Sequence, residues 1–198
     1  MSHQREIINH LFISKVRIKS LKYFFFHPDV PIHLRGAVRK LGEEINAVRR
    51  ELTRMEKIKL LHTERRGNRK YFMLNKRFPF YSELLSIVHK TFGLGGEIIR
   101  NAGKLGDIQF ALLTSSFTQG MRVGMHDIDM VLIGQVNVDV LTGIVERAEK
   151  QMGKEINYTV LKNSEFQLQK KRRDAFIMDL IVGNKIMLLG DQEDFLSA

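Results

Sequence analysis

The chain of 198 residues contains no cysteine, which excludes disulfide bonds and metal sites built from thiolates. This absence fits a reducing compartment, and we expect a cytoplasmic protein. No apolar run approaches the roughly 18 residues that a membrane-spanning helix requires. Residues 1–11 also lack the apolar stretch of a signal peptide. We therefore expect no membrane partner.

The histidines show none of the spacings that metal-binding histidines adopt, so we expect no histidine-based metal site. They are His3, His10, His27, His33, His62, His89 and His126. Hydrophobic residues make up 43% of the chain, which is enough for a packed core and excludes disorder.

Positive charge is unevenly distributed along the chain, whose net charge is +10. Residues 1–95 carry 20 Lys and Arg against 8 Asp and Glu, whereas residues 96–198 carry 12 against 14. The change falls near Gly93-Leu94-Gly95-Gly96, and we predict two domains, residues 1–94 and 97–198. A basic half of this kind indicates a nucleic-acid partner, with a solubilising surface as the alternative.

Two consecutive helices in the basic half predict a helix-turn-helix. A helix beginning after Ser14 and a short edge strand within residues 30–34 precede them. The first of the two spans residues 35–41 and ends at Gly42. The second spans residues 44–57 and has one apolar stripe, formed by Ile45, Val48, Leu52 and Met55. Its opposite face and flank carry Asn46, Arg49, Arg50, Thr53 and Arg54.

A β-hairpin is predicted after these helices, with strands at residues 59–64 and 70–74 and a tight turn at Gly67-Asn68. Its tip carries four cations and one amide side chain: Arg65, Arg66, Asn68, Arg69 and Lys70. Such a tip could contact DNA phosphates or enter the minor groove.

Two segments carry a resemblance to the winged-helix domains of archaeal and bacterial transcription regulators. They are Ile45-Asn46-Ala47-Val48-Arg49-Arg50-Glu51-Leu52 and Glu64-Arg65-Arg66-Gly67-Asn68-Arg69-Lys70-Tyr71. The resemblance covers residues 14–94 and implies binding to double-stranded DNA through the polar residues of the second helix and the hairpin tip. A winged helix that contacts proteins is the alternative. The amphipathic residues 81–92 could pack on this domain or pair with a second copy in a homodimer.

The second half alternates strands and helices and predicts a small α/β domain, so the expected fold class of the whole chain is α+β. We predict strands at residues 108–113, 128–133, 155–161 and 186–189, with Gly134 closing the second. Helices are predicted to start at residue 117 and to span residues 138–152 and 164–176.

Ser115-Ser116 is followed, ten residues later, by Asp127-Ile128-Asp129. The spacing resembles the signature of the minimal, polymerase-beta-like nucleotidyltransferases over residues 97–195. The resemblance implies that Ser115, Ser116 and Gly120 bind ATP or another nucleotide. It also implies that Asp127 and Asp129 hold Mg²⁺ and are catalytic if the domain is active.

Three residues depart from the family pattern: Ser115 replaces glycine, His126 replaces serine, and Asn157 falls where a third carboxylate is expected. Glu155 and Asp179 are substitute candidates. We therefore interpret the chain as a DNA-binding transcription regulator whose second domain has lost catalysis and binds nucleotide weakly. The alternative is an active Mg²⁺-dependent nucleotidyltransferase, including an antitoxin that adenylylates a partner protein.

Overall fold

A computed structural model describes residues 3–119 and 128–197 and shows a mixed α and β chain with two separate sheets. The chain divides into two compact units, Met1–Thr91 and Phe92–Ala198. Gly120, His126 and Asp127, which the sequence analysis singled out, lie outside the described residues. The glycines expected at a linker lie instead in the first helix of the second unit.

The first unit contains five helices and three strands among its described residues. In chain order they are α1 (His3–Leu11), α2 (Lys15–Phe26), β1 (Ile32–His33), α3 (Leu34–Leu41), α4 (Ile45–Lys57), β2 (Leu61–Arg66), β3 (Arg69–Leu74) and α5 (Tyr81–Thr91). The strands form an antiparallel sheet in the order β1-β3-β2. Every element predicted for this half is found, and α1 is an additional helix that the sequence analysis missed.

Helix-capping residues fix the turn between α3 and α4. Gly42 ends α3 with a φ of 61°, a left-handed conformation that glycine adopts without a steric penalty. Glu44 then begins α4, and its carboxylate accepts hydrogen bonds from the backbone N–H groups of Asn46 and Ala47 at 2.8 and 2.9 Å. Both hydrogen bonds lower the pKa of the Glu44 carboxyl, and the bond from Asn46 has the larger effect.

The core of the first unit forms around the inner face of α4. Val48 and Leu52 are completely buried there, and Met55 is nearly so. Glu51 lies on the same side, only 3% exposed, and Arg17 of α2 donates to its carboxylate at 2.6 Å. This ion pair offsets the free-energy cost of burying the Glu51 carboxylate.

The second unit contains seven helices and four strands among its described residues. They are α6 (Gly93–Arg100), α7 (Ala102–Leu105), β4 (Gly106–Thr114), α8 (Ser115–Gln119), β5 (Met130–Val136), α9 (Val138–Met152), β6 (Tyr158–Leu161), α10 (Asn163–Lys171), α11 (Ala175–Val182), β7 (Lys185–Leu189) and α12 (Gln192–Ser197). The sheet order is β6-β5-β4-β7, and only the β5–β6 pair is parallel.

Two predicted boundaries in this unit were wrong. The helix expected over residues 164–176 is two helices, because Arg173 adopts a left-handed φ of 52° and Asp174 caps the start of α11. The strand expected from residue 155 begins only at Tyr158, so Glu155 precedes β6 and does not lie on it. The core of the unit contains the contacting rings of Phe110, Phe166 and Phe195.

Gly134 lies within β5 and does not close the strand, contrary to expectation. The register shifts between Ile108 and Phe110 on the facing strand, which leaves Gln109 as the extra residue of a bulge. Gly134 has a φ of 141°, and a Cβ atom there would collide with the carbonyl oxygen of Asp107. Only glycine fits this position.

We predict that Gly134→Ala lowers the free energy of unfolding by about 3 kcal/mol, because it combines a strained backbone with a steric clash. Gly143→Ala is the matched control, since Gly143 lies in α9 and its Cβ would meet only the Arg147 side chain at 3.5 Å. That change should be neutral or stabilising. Chemical denaturation of both variants checks the prediction, and equal stabilities would contradict it.

Candidate functional sites

A basic groove lies between α3, α4 and the β2–β3 hairpin of the first unit. Its volume is about 690 Å³. Five cations from these three elements line it, together with polar Thr53 and Asn68; the cations are Arg35, Arg39, Arg49, Arg69 and Lys70. Positive charges on both sides of a concave surface raise the local concentration of a polyanion.

The structure brings together half of the residues predicted to bind DNA. Arg49, Thr53, Asn68, Arg69 and Lys70 line the basic groove. The other five do not line it, and all are exposed: Asn46, Arg50, Arg54, Arg65 and Arg66. The predicted set therefore divides between the groove and the surfaces beside it.

Arg35 and Arg39 are groove residues that the sequence analysis did not assign to any site. They are exposed, and they lie four residues apart in α3, which places them on one face of that helix. The spacing of these two arginines was the only sign of a site that the sequence offered. It indicates a shared groove only once the hairpin is known to lie opposite that face of α3.

Two of the four cations of the hairpin tip are engaged inside the first unit. Lys70 Nζ donates to Glu56 Oε2 at 2.6 Å, which lowers the pKa of the Glu56 carboxyl. Arg66 pairs with Glu64, and its guanidinium lies 5.2 Å from the Tyr71 ring centroid. Within residues 3–119 and 128–197, no hydrogen bond or ion pair is found for the side chains of Arg65 and Arg69.

The exposed arginines of α4 also differ in their surroundings. Arg49 Nη1 donates to Asn46 Oδ1 at 3.0 Å, which orients both side chains along the first turns of the helix. Arg54 Nη1 lies 3.8 Å from buried Glu51, although its own side chain is 65% exposed. In the described part of the chain the exposed Arg50 side chain forms no hydrogen bond or ion pair, although its charge contributes to the lowered pKa of Glu44. Arg50 is therefore available to an external ligand.

The second candidate site lies where β4 and β5 meet α8. The backbone N–H of Thr114 donates to the carbonyl oxygen of Asp129 at 3.0 Å, so Ser115 and Ser116 follow at the same end of the sheet. The Asp129 side chain is completely buried. Its Oδ2 accepts the backbone N–H of Asn157 at 3.0 Å. The structure thus places the backbone of Asn157, the residue that precedes β6, beside the Asp129 carboxylate.

The described residues include only part of the two-ion site that the resemblance to nucleotidyltransferases implies, since Asp129 is described and Asp127 is not. No group of three or more His, Asp or Glu side chains in the described ranges is placed to hold a metal ion. Asp129 uses one carboxylate oxygen for a backbone hydrogen bond, and Asn157 contributes no charge. Glu155 is exposed ahead of β6, and Asp179 is exposed on α11.

Lys154 is a further cation near this sheet end that the sequence analysis did not assign. Its Nζ lies 4.7 Å from the centroid of the Phe117 ring, and Phe117 is a buried residue of α8. The contact places a positive charge beside the helix that Ser115 and Ser116 begin.

Among the described residues, no helix has both the length and the apolar content needed to cross a membrane.

Comparisons with known proteins assign no family to the chain. No family model matches it, and no curated protein matches it. One solved structure with a partial likeness is that of human N-acetylserotonin methyltransferase in complex with SAM. The two are 15% identical with a TM-score of 0.29, over 62% of this chain and 38% of the methyltransferase chain. A likeness this weak carries no inference about fold or function.

Proposed function

We propose that the chain is a cytoplasmic transcription regulator whose first unit binds double-stranded DNA. The observation that carries this proposal is the basic groove, to which three separate elements contribute cations. Cations that share one concave surface suit the closely spaced phosphates of nucleic acid. Scattered solvating charges would have no reason to line the same groove.

The order of the elements supports a winged-helix interpretation of this unit. Helices α3 and α4 are joined by a tight turn at Gly42, and an antiparallel hairpin follows α4. In this interpretation α4 is the recognition helix and β2–β3 is the wing. The groove between them then receives the sugar-phosphate backbone.

In this proposal, the residues that contact phosphates differ from the residue that recognises a base. Arg49 and Arg69 line the groove and are assigned to phosphates. Arg50 is exposed on the outer face of α4 and is assigned to a base edge in the major groove. The division follows from helix geometry, since residues on the flank of α4 face the wing and residues on its outer face do not.

Nucleotide binding by the second unit is a second candidate function. It is supported by the position of Ser115, Ser116 and Asp129 at one end of the sheet. Efficient transfer is less well supported, because Asn157 occupies the sequence position where the resemblance implies a third carboxylate. An active nucleotidyltransferase with a protein substrate stays the alternative.

Removal of one groove arginine that is assigned to phosphate should reduce the number of counterions released on DNA binding. Arg49→Ala and Arg69→Ala should each lower the slope of log K against log salt concentration by about 0.9. Anisotropy titrations of a labelled duplex between about 50 and 200 mM salt measure this slope. Arg147→Ala, which removes an exposed charge from α9, is the control and should leave the slope unchanged. Unchanged slopes for both groove variants would place the DNA elsewhere.

Arg50→Ala should reduce sequence discrimination. A duplex selected from a random pool and a scrambled duplex provide the two ligands. An arginine bidentate to guanine contributes about 1–3 kcal/mol of discrimination between bases. Arg50→Ala should therefore lose about 1–3 kcal/mol of binding free energy with the selected duplex and none with the scrambled one. Arg69→Ala is the comparison variant and should weaken both duplexes equally. Equal losses with Arg50→Ala would show that Arg50 contacts phosphate alone.

We expect the second unit to transfer little or no nucleotide. The full chain, incubated with labelled ATP, Mg²⁺ and cell extract, should label no more product than the double variant Asp127→Asn/Asp129→Asn. Calorimetry should detect weak Mg²⁺-dependent ATP binding by the wild type and none by the double variant, with thermal unfolding as the check on folding. Labelling that requires both aspartates would establish the enzyme alternative.

A further inference from the structure

One carboxylate of α4 is bonded to both strands of the wing. Glu56 lies in the last turn of α4, and its side chain is 28% exposed. Its Oε1 accepts the hydroxyl of Thr63 on β2 at 2.9 Å, and its Oε2 accepts from Lys70 Nζ on β3 at 2.6 Å. A single side chain of α4 therefore bonds to both strands of the wing.

The strand register explains why Lys70 can reach Glu56. Thr63 pairs with Phe72 and Arg65 pairs with Lys70, so Thr63, Lys70 and Phe72 share one face of the hairpin. This face also carries buried Leu61 and Leu74. The ammonium of Lys70 lies 5.4 Å from the Phe72 ring, at the outer end of the face that packs into the core. Its neighbour Arg69 belongs to the opposite face.

We propose that Glu56 and Lys70 form a latch that fixes the wing against α4 and sets the separation of the two sides of the basic groove. Lys70 is then a positioning residue, and Arg69 is the phosphate contact of β3. The latch rests on the proposed DNA binding, since it prepares the groove for a DNA backbone. A wing held in place before binding loses less conformational entropy when DNA arrives.

Electrostatics alone and the latch predict changes of opposite sign in DNA affinity for the substitution Glu56→Gln. Glu56 is a negative charge beside a groove of cations, so charge alone predicts that Glu56→Gln strengthens DNA binding. The latch predicts weaker binding, because glutamine still accepts from Thr63 but no longer holds the Lys70 ammonium. The sign of the change in affinity therefore separates the two accounts.

The chain itself provides a matched control for this test. Glu43 lies 2.6 Å from Lys19 Nζ, the same separation as in the Glu56–Lys70 pair, but it connects α2 to the α3–α4 turn and not to the wing. With a labelled duplex as the probe, Glu56→Gln should weaken binding about threefold, the loss typical of a half-exposed ion pair. Glu43→Gln should cause no loss.

Lys70→Met keeps the apolar stem over Phe72 and removes only the charge. It should weaken binding by a similar factor without lowering the salt slope, whereas Arg69→Ala lowers that slope by about 0.9. The double variant Glu56→Gln/Lys70→Met should bind no more weakly than either single variant, because both remove the same interaction. Amide hydrogen exchange across residues 61–74 of the free protein should rise in both single variants and stay unchanged in Glu43→Gln.

Tighter binding by Glu56→Gln, or a salt slope lowered by about 0.9 in Lys70→Met, would overturn the latch while leaving DNA binding intact. Absence of binding by the wild-type chain would overturn the proposed function itself, and the exchange data would then report only on the stability of the hairpin. The two failures are thus distinguishable.

Discussion

The burial of one face of α4 is the constraint on which the first unit depends. Val48 and Leu52 are completely buried, and each fully buried aliphatic side chain contributes about 1.5–3 kcal/mol. Glu51 is tied to α2 through Arg17, and Glu56 is tied to both strands of the hairpin. With its inner face held in this way, α4 has one orientation, and its remaining arginines can only face outward.

Asp129 shows how the second unit accommodates a buried carboxylate. Burial of a charge is costly unless the group is hydrogen-bonded, and the backbone N–H of Asn157 supplies such a bond. The carbonyl oxygen of Asn157 in turn accepts the backbone N–H of Asp129 at 2.7 Å, so Asn157 is bonded to Asp129 through both of its backbone polar groups. The side chain of Asn157 is not needed for either bond.

Local sequence patterns predicted much of the fold, because caps, turns and apolar stripes depend on nearby residues. The N-cap at Ser14, the stop at Gly42, the buried stripe of α4 and the hairpin are of this kind. The bulge facing Gly134 was missed because it depends on pairing between two strands. The break between α10 and α11 was missed because Arg173 adopts a conformation that non-glycine residues seldom occupy.

The candidate sites were less predictable than the elements that carry them. The sequence identified the cations of α4 and the hairpin, but it could not show that Arg35 and Arg39 of α3 line the same groove. It also grouped Lys70 with the other cations of the tip, although Lys70 is paired with Glu56. Both facts depend on the packing of α3, α4 and the hairpin, which no local pattern encodes.

The sheet of the second unit has a consequence for the order in which the chain folds during synthesis. Thr114 of β4 pairs with Lys185 of β7, so this sheet cannot be completed until almost all of the described chain has left the ribosome. The first unit closes its sheet through a hairpin that ends at Leu74. Contacts close in sequence form quickly, and distant ones form slowly. The first unit can therefore fold while the second is still being made. During that time β4 and β5 have a hydrophobic strand edge that is still unpaired.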